Sequence, residues 1–169
     1  MRIMKRLILT LSLIISYLSF CPAEAQNVIR TRHQAALATD AVSTGTLTIR
    51  KPDYICISTD EGRNQMLMNG TQFTMVMDGK KHVTDSKRNA QFVTFQKVLN
   101  AVINGLPIPT GEDIAIVTKN GQQTVTITPA GKKRKMFTSF VLVVDSKTSA
   151  LRRLRMNERA DNYVNYDFK

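Results

Sequence analysis

Apolar and polar residues alternate along most of this chain, in short runs separated by residues that favour turns. A period of two marks half-buried β-strands. It predicts strands at about 28–34, 43–51, 53–59, 64–69, 71–77 and 80–85, then at 113–119, 122–128, 135–145, 150–158 and 162–168. Asn69-Gly70, Asp78-Gly79 and Asn120-Gly121 fall between such runs, and these dipeptides suit two-residue hairpins because they accept φ > 0 at little cost. Within the strands the apolar members share a face. Phe73, Met75 and Met77 form one such set; Phe140, Leu142 and Val144 a second; Leu154 and Met156 a third; Val164, Tyr166 and Phe168 a fourth.

One segment breaks the alternation. From Asn89 to Gly105, Phe92, Phe95, Leu99, Val102, Ile103 and Leu106 recur at helical spacing, while Gln96, Lys97, Asn100 and Asn104 face elsewhere. Gly105 can close the helix, and Pro107 and Pro109 prevent its return. The order is six strands, a helix and five strands, an α+β chain dominated by one antiparallel sheet. A sheet of 10–11 strands curls, splits or closes. The fold class expected is a strongly curved antiparallel sheet, an unclosed β-barrel, with the amphipathic helix across its concave apolar face.

The strand opening at Gly45 carries an anomaly. In Gly45-Thr46-Leu47-Thr48-Ile49-Arg50-Lys51-Pro52, alternation puts Leu47, Ile49 and Lys51 on one side. Lysine therefore falls on the apolar side, beside a proline that bends or ends the strand. A lone buried ammonium is costly. A charge there must reach a rim, find a partner or serve a ligand.

The N-terminus reads as an export signal: Arg2, Lys5 and Arg6, an apolar run from Leu7 to Phe20, and a small-x-small site at Ala23-Glu24-Ala25. Cleavage after Ala25 divides the chain into a signal, 1–25, and a single domain, 26–169. Cys21 is also where a lipoprotein signal would carry its lipid, although Phe20 is large for that motif. In the mature chain only Cys56 remains, so no intramolecular disulfide can form. The charge of +11 falls to +9 once three basic and one acidic residue leave with the signal. Such a balance favours anionic surfaces without choosing among them.

Enzymatic chemistry finds little support. His33 and His82 lie in no metal-ligand spacing, and Cys56 sits mid-strand with no nucleophile signature around it. No nucleophile elbow or phosphate loop occurs. Asn69-Gly70-Thr71 is formally a glycosylation triplet that a hairpin explains more simply. The pairs Asp60/Glu61 and Glu112/Asp113 read as solvated turn charges. The basic runs Lys132 to Lys135 and Arg152-Arg153 with Arg155 lack the aromatic platforms of a single-strand binder, so they read as solvated or as facing an anionic surface. Neither cofactor, metal nor nucleic acid is expected. Six methionines and no tryptophan in the mature chain give a soft apolar lining.

These residues resemble a family, the LolA-type periplasmic carriers of outer-membrane lipoproteins. The resemblance begins at Gly45-x-Leu47-x-x-Arg50-Lys51-Pro52-Asp53. It continues through Met66-Leu67-Met68-Asn69-Gly70, the helix from Phe92 to Gly105, and Met136-Phe137 to Asp145. It closes on Leu154-x-Met156-x-Glu158 and Val164-x-Tyr166-x-Phe168. It covers about 43–169, and shared order carries it more than any single motif. It implies an unclosed barrel holding acyl chains under a helical lid, with the basic residue before the proline, here Lys51, controlling the lid. The family usually has arginine there and tryptophans in the cavity. Lysine lacks the planar fork of arginine and makes a looser latch. The family's N-terminal helix is not visible in 26–44, which has room for a short strand at Val28 to Arg32.

The function so implied is a periplasmic carrier that takes acylated lipoproteins from an inner-membrane lipoprotein-releasing ABC transporter to an outer-membrane acceptor, as a monomer and without bond chemistry. Leu47, Ile49, Phe73, Met75, Phe140, Leu142, Leu154 and Met156 would line its hollow from the sheet. Phe92, Phe95, Leu99 and Val102 would line it from the helix. Two alternatives stay open: an outer-membrane acceptor of similar fold anchored through Cys21, and an envelope binding module that uses a basic face on an anionic polymer.

Overall fold

The computed structural model describes residues 24–129 and 136–169. The signal segment up to residue 23, with Cys21, and the basic run 132–135 lie outside the described residues. Eleven strands form one sheet: β1 Glu24–Gln34, β2 Thr39–Arg50, β3 Tyr54–Thr59, β4 Asn64–Asn69, β5 Gln72–Met77, β6 Lys80–Asp85, β7 Ile114–Lys119, β8 Gln122–Ile127, β9 Ser139–Asp145, β10 Leu151–Asn157 and β11 Tyr163–Phe168. The helix α1, Ala90–Ile103, lies between β6 and β7 in sequence. The strand order is β6-β5-β4-β3-β2-β1-β11-β10-β9-β8-β7. Every pairing is antiparallel. The sheet is curved and unclosed, with β6 and β7 at its free edges.

Sequence neighbours pair through hairpins within each half, and one pairing of distant segments joins the halves. In it β1 runs against β11, from Val28 opposite Phe168 to His33 opposite Tyr163. Asp78-Gly79 and Asn120-Gly121 are two-residue hairpin loops with φ > 0 at both positions, the type I′ pattern whose twist matches that of the strands. At the third turn the loop is Gly70-Thr71, because Asn69 remains in β4 opposite Gln72.

The largest departures from the alternation pattern are in the first two strands. β1 begins at Glu24, across the expected cut, and β2 begins at Thr39. Much of β2 is exposed before Ser43, so hydrophobic pattern could not mark its start. Its other end is a correction. The strand stops at Arg50, and Lys51 lies in the turn with its side chain exposed. The Lys51–Pro52 peptide bond is cis. Alternation thus does not extend to Lys51, and its ammonium is not buried on the apolar side.

Glycine is required at one position for close approach. A Cβ on Gly45 would lie 1.9 Å from the Ser58 carbonyl oxygen of β3. A backbone neighbour cannot step aside without disturbing the ladder in which Gly45 pairs with Thr59. We therefore expect Gly45→Ala to lower the unfolding free energy by about 2 kcal/mol or more. Gly79→Ala, in open space at φ 78°, should cost only about 1 kcal/mol of conformational strain. Urea titrations of the two variants measure the difference.

Candidate functional site

The sheet turns one apolar face inward, and α1 lies on it. Leu47, Phe140, Leu142, Leu154 and Met156 have no accessible surface, and neither do Phe95, Val98 and Leu99 of the helix. Phe73, Met75, Phe92 and Val102 are buried with them in one continuous cluster. Of the expected lining residues, Ile49 alone is only partly buried, packed at the margin. The structure therefore brings the expected set together, but against one another. The concave face is filled by the helix.

Aromatic rings make the centre of that contact. Phe73 stacks on Phe92 with centroids 4.3 Å apart, and Phe95 stacks on Phe140 at the same distance. Phe137, just before β9, tilts against Phe140 at 5.3 Å. Offset and tilted rings gain more than area alone provides. The helix thus bridges β5 and β9, which stand on opposite sides of the β1–β11 junction.

The polar side of α1 is not simply solvated. Asn89 caps its start, accepting from the Gln91 amide at 3.2 Å. Gln91 Oε1 accepts from the Phe137 backbone N–H at 3.0 Å. Thr94 donates to Asp113, and Gln96 accepts from Ser86 while donating to the Gly70 carbonyl. At the other end the helix closes in a Schellman arrangement: Gly105 at φ 63° donates to the Val102 carbonyl, and Leu106 to that of Ala101. Leu106 itself is exposed, past the cap. Asn104 Nδ2 reaches the Pro52 carbonyl at 2.7 Å. The turn holding Lys51 is therefore tied to the helix, through the Pro52 carbonyl and a helix amide.

The opposite end of the sheet carries a feature that alternation did not flag. Val28 and Arg30 of β1 share the inner face, and Arg30 is the one buried charged residue among the described residues. Its Nη1 lies 3.6 Å from Oδ2 of Asp60, in the short 3-10 turn after β3. Its register partner on β11 is Tyr166. Burial pushes the Tyr166 hydroxyl above its ordinary pKa, and the charge and hydrogen bond of Arg30 act in the other direction. Burial opposes ionisation of Asp60, but the Asn64 amide, 2.6 Å away, the Ser43 hydroxyl and the Arg30 charge hold its carboxyl below the ordinary range. Nearby, Arg32 makes a two-point pair with Glu158 at 2.9 and 3.1 Å. In sequence, Ile29-Arg30-Thr31-Arg32 reads as a half-solvated strand, and only the inward position of Val28 hinted that Arg30 follows it inside.

Cys56 is a free, half-buried thiol that burial raises above its ordinary pKa, the state of a packed rather than a reactive cysteine. No group of His, Cys, Asp and Glu among the described residues could hold a metal ion. A polar cleft of about 250 Å³ is bordered by Ser139, Arg155, Asn157, Glu158 and Asn162. Its lining is too polar for an acyl chain.

The model of the family described as outer membrane lipoprotein carrier protein LolA matches residues 29–169. Comparison with curated proteins finds no match. Among solved structures, the chain is similar to a LolA superfamily protein from Nitrosomonas europaea at 9% identity, covering 89% of this chain and 85% of that one, with a TM-score of 0.35. A DUF1329 family protein from Desulfovibrio piger is similar at 10% identity, with 95% and 89% covered and a TM-score of 0.40. An outer membrane lipoprotein-sorting protein domain from Vibrio parahaemolyticus is similar at 10% identity, with 89% and 85% covered and a TM-score of 0.37.

The depressed pKa of Asp60 has a pH signature. Its contribution to stability is complete above the ordinary value of 3.8 and is lost as pH falls through the folded-state value. Asp60→Asn should therefore be less stable than wild type at pH 7, and the gap should narrow as the pH is lowered below 3.8. Denaturant unfolding at a series of pH values reads both effects.

Proposed function

The chain belongs to the LolA family of outer membrane lipoprotein carrier proteins, and from that premise we propose that it binds lipoprotein acyl chains against its concave face. The observation that carries this reading is the kind of cover the face has. One fourteen-residue helix closes it, held by a few side-chain hydrogen bonds and otherwise by apolar contact. Apolar contact is non-directional, so an acyl chain can replace it.

The energetics suit exchange. Burying about ten methylenes is worth roughly 8 kcal/mol in gross terms. Against that stand the polar ties of α1, each worth about 0.5–1.5 kcal/mol. The helix leaves the sheet and the acyl chain takes its place, so the same wall is covered in both states. Leu47, Ile49, Phe73, Met75, Phe140, Leu142, Leu154 and Met156 receive the chain. Phe92, Phe95, Leu99 and Val102 of the helix fold back over it. The side chains of Met66, Met68, Met75 and Met156, all buried, adapt to its shape.

In this reading the latch is Asn104 on the Pro52 carbonyl, with Gln96 on Gly70 beside it. Lys51, exposed next to that carbonyl, is where an acidic partner surface bears on the latch. The carrier works in the periplasm after cleavage behind Ala25. It receives cargo from an inner-membrane ABC transporter and delivers it to an outer-membrane acceptor. It catalyses no bond chemistry.

Purification from a lipoprotein-rich periplasm, followed by mass spectrometry, should reveal bound acylated protein, and a neutral apolar fluorophore should bind the emptied carrier. Weakening the latch with Asn104→Ala or Gln96→Ala should tighten fluorophore binding about two- to tenfold. Lys51→Leu should leave fluorophore binding unchanged and slow transfer of cargo to acceptor membranes. Absence of acylated cargo together with failure to bind the fluorophore contradicts the reading.

A further inference from the structure

The open sheet has two free edges, and they are built differently. β6 at one edge carries Lys80, Lys81, His82 and Asp85, side chains of the kind that keep other strands from pairing. β7 at the other edge reads Ile-Ala-Ile-Val-Thr-Lys, with Lys119 as its only charge and no proline. Every residue after Ile114 is exposed, Val117 to 62% and Ile116 to 38%. The backbone of β7 is open as well. The Asp113 carbonyl accepts from the Thr128 amide at 2.8 Å, so odd-numbered residues turn their hydrogen-bonding groups toward β8. Ile116 and Thr118 therefore turn theirs to the free edge, as does the Ile114 carbonyl. Among the described residues no strand meets them.

An unguarded apolar edge is a template for another strand, and this one fits itself. Where the family resemblance implies a monomer, we propose that β7 pairs antiparallel with β7 of a second copy, Ile116 opposite Ile116 on a two-fold axis. In that register Ala115 lies opposite Val117 and Ile114 opposite Thr118, so the apolar centres meet and outward amides face outward carbonyls. Lys119 of each copy reaches the Glu112-Asp113 turn of the other, where Glu112 is exposed. A slip of two residues one way sets Lys119 against Ala115, and the other way sets Asp113 against Val117. Charge thus selects the centred register. Ile114 and Ile116 lie across from Ile127 and Val125 of the core, so the joined strands continue the inner apolar wall from one copy to the next. Pairing covers the β7 rim of each open barrel and leaves the basic β6 rim free.

One strand pair is a small interface, of the class below about 1,200 Å² that gives transient association. Sedimentation velocity of the purified protein at rising concentration should therefore show a monomer–dimer equilibrium with a dissociation constant of about 10–100 μM. Ile116→Lys sets two ammonium groups face to face, and Thr118→Pro removes a donor that only the second copy uses. Each should weaken association about tenfold or more while leaving the circular dichroism of the sheet unchanged. In a Cys56→Ser background, Ile116→Cys should oxidise to a disulfide-linked dimer, because Cα atoms directly opposite lie about 5.5 Å apart in a hydrogen-bonded pair. Ile114→Cys and Thr118→Cys should each fail to cross-link, since neither faces its own copy. A protein that stays monomeric to about 500 μM overturns the proposal and leaves the edge to a strand from another protein. A dimer indifferent to Ile116→Lys and Thr118→Pro overturns it too, and so does cross-linking at 114 or 118 in preference to 116. Each of these outcomes leaves the carrier reading standing.

Discussion

A sheet of eleven strands with one apolar side must keep that side from water, and among the described residues the helix α1 does so. The rest of the structure follows from that constraint. The strands curve because the face has to wrap a cylinder about the width of one helix, 10–12 Å across its side chains. The helix in turn carries phenylalanine at the positions that meet both halves, so Phe73 and Phe140, contributed from either side of the β1–β11 junction, stack on neighbouring turns of α1. Remove the helix and the inner face becomes an exposed apolar surface far larger than a monomer normally shows.

Such a cover has two parts that respond to different things. Ring stacking and methionine packing hold the helix strongly but without direction, so another apolar body can substitute for it. The amide ties of Gln91, Gln96 and Asn104 to main-chain groups are directional, and they fix which way the helix sits. Loss of directional ties changes the balance between states without emptying the core. At the far end, Arg30, Asp60 and Tyr166 make a polar floor in the same enclosure. A hydrophobic wall with a balanced polar end suits a molecule of the same construction.

Much of the fold was legible in the sequence. Half-buried strands announce themselves by period two, and β4 and β6 have the bounds expected. Asp78-Gly79 and Asn120-Gly121 place turns because few other dipeptides accept their backbone angles. The helix was equally plain, since six apolar residues at helical spacing fit nothing else. Lys51 was misplaced because alternation is a property of strand, and the pattern cannot show where a strand ends when the next residues are a turn. The β1–β11 pairing joins the two ends of the chain, and no local signal encodes it. The latch was hidden for another reason: Gln96 and Asn104 read as a solvated helix face, and only the fold brings the Gly70 and Pro52 carbonyls to them. Arg30 was hidden by its neighbours, because Arg32 on the same face and the polar residues around it make that stretch of β1 look solvated beyond Val28.

The central claim is that α1 yields its place on the sheet to an acyl chain. It is tested most directly by spin labels at Lys97, exposed on α1, and Gln122, exposed on β8, with their separation measured by pulsed electron resonance before and after loading with an acylated lipoprotein. The account predicts a single short distance in the empty protein and a longer, broader distribution once loaded. An unchanged distance in protein shown to be loaded would mean that the chain binds elsewhere and that the helix is a permanent part of the core.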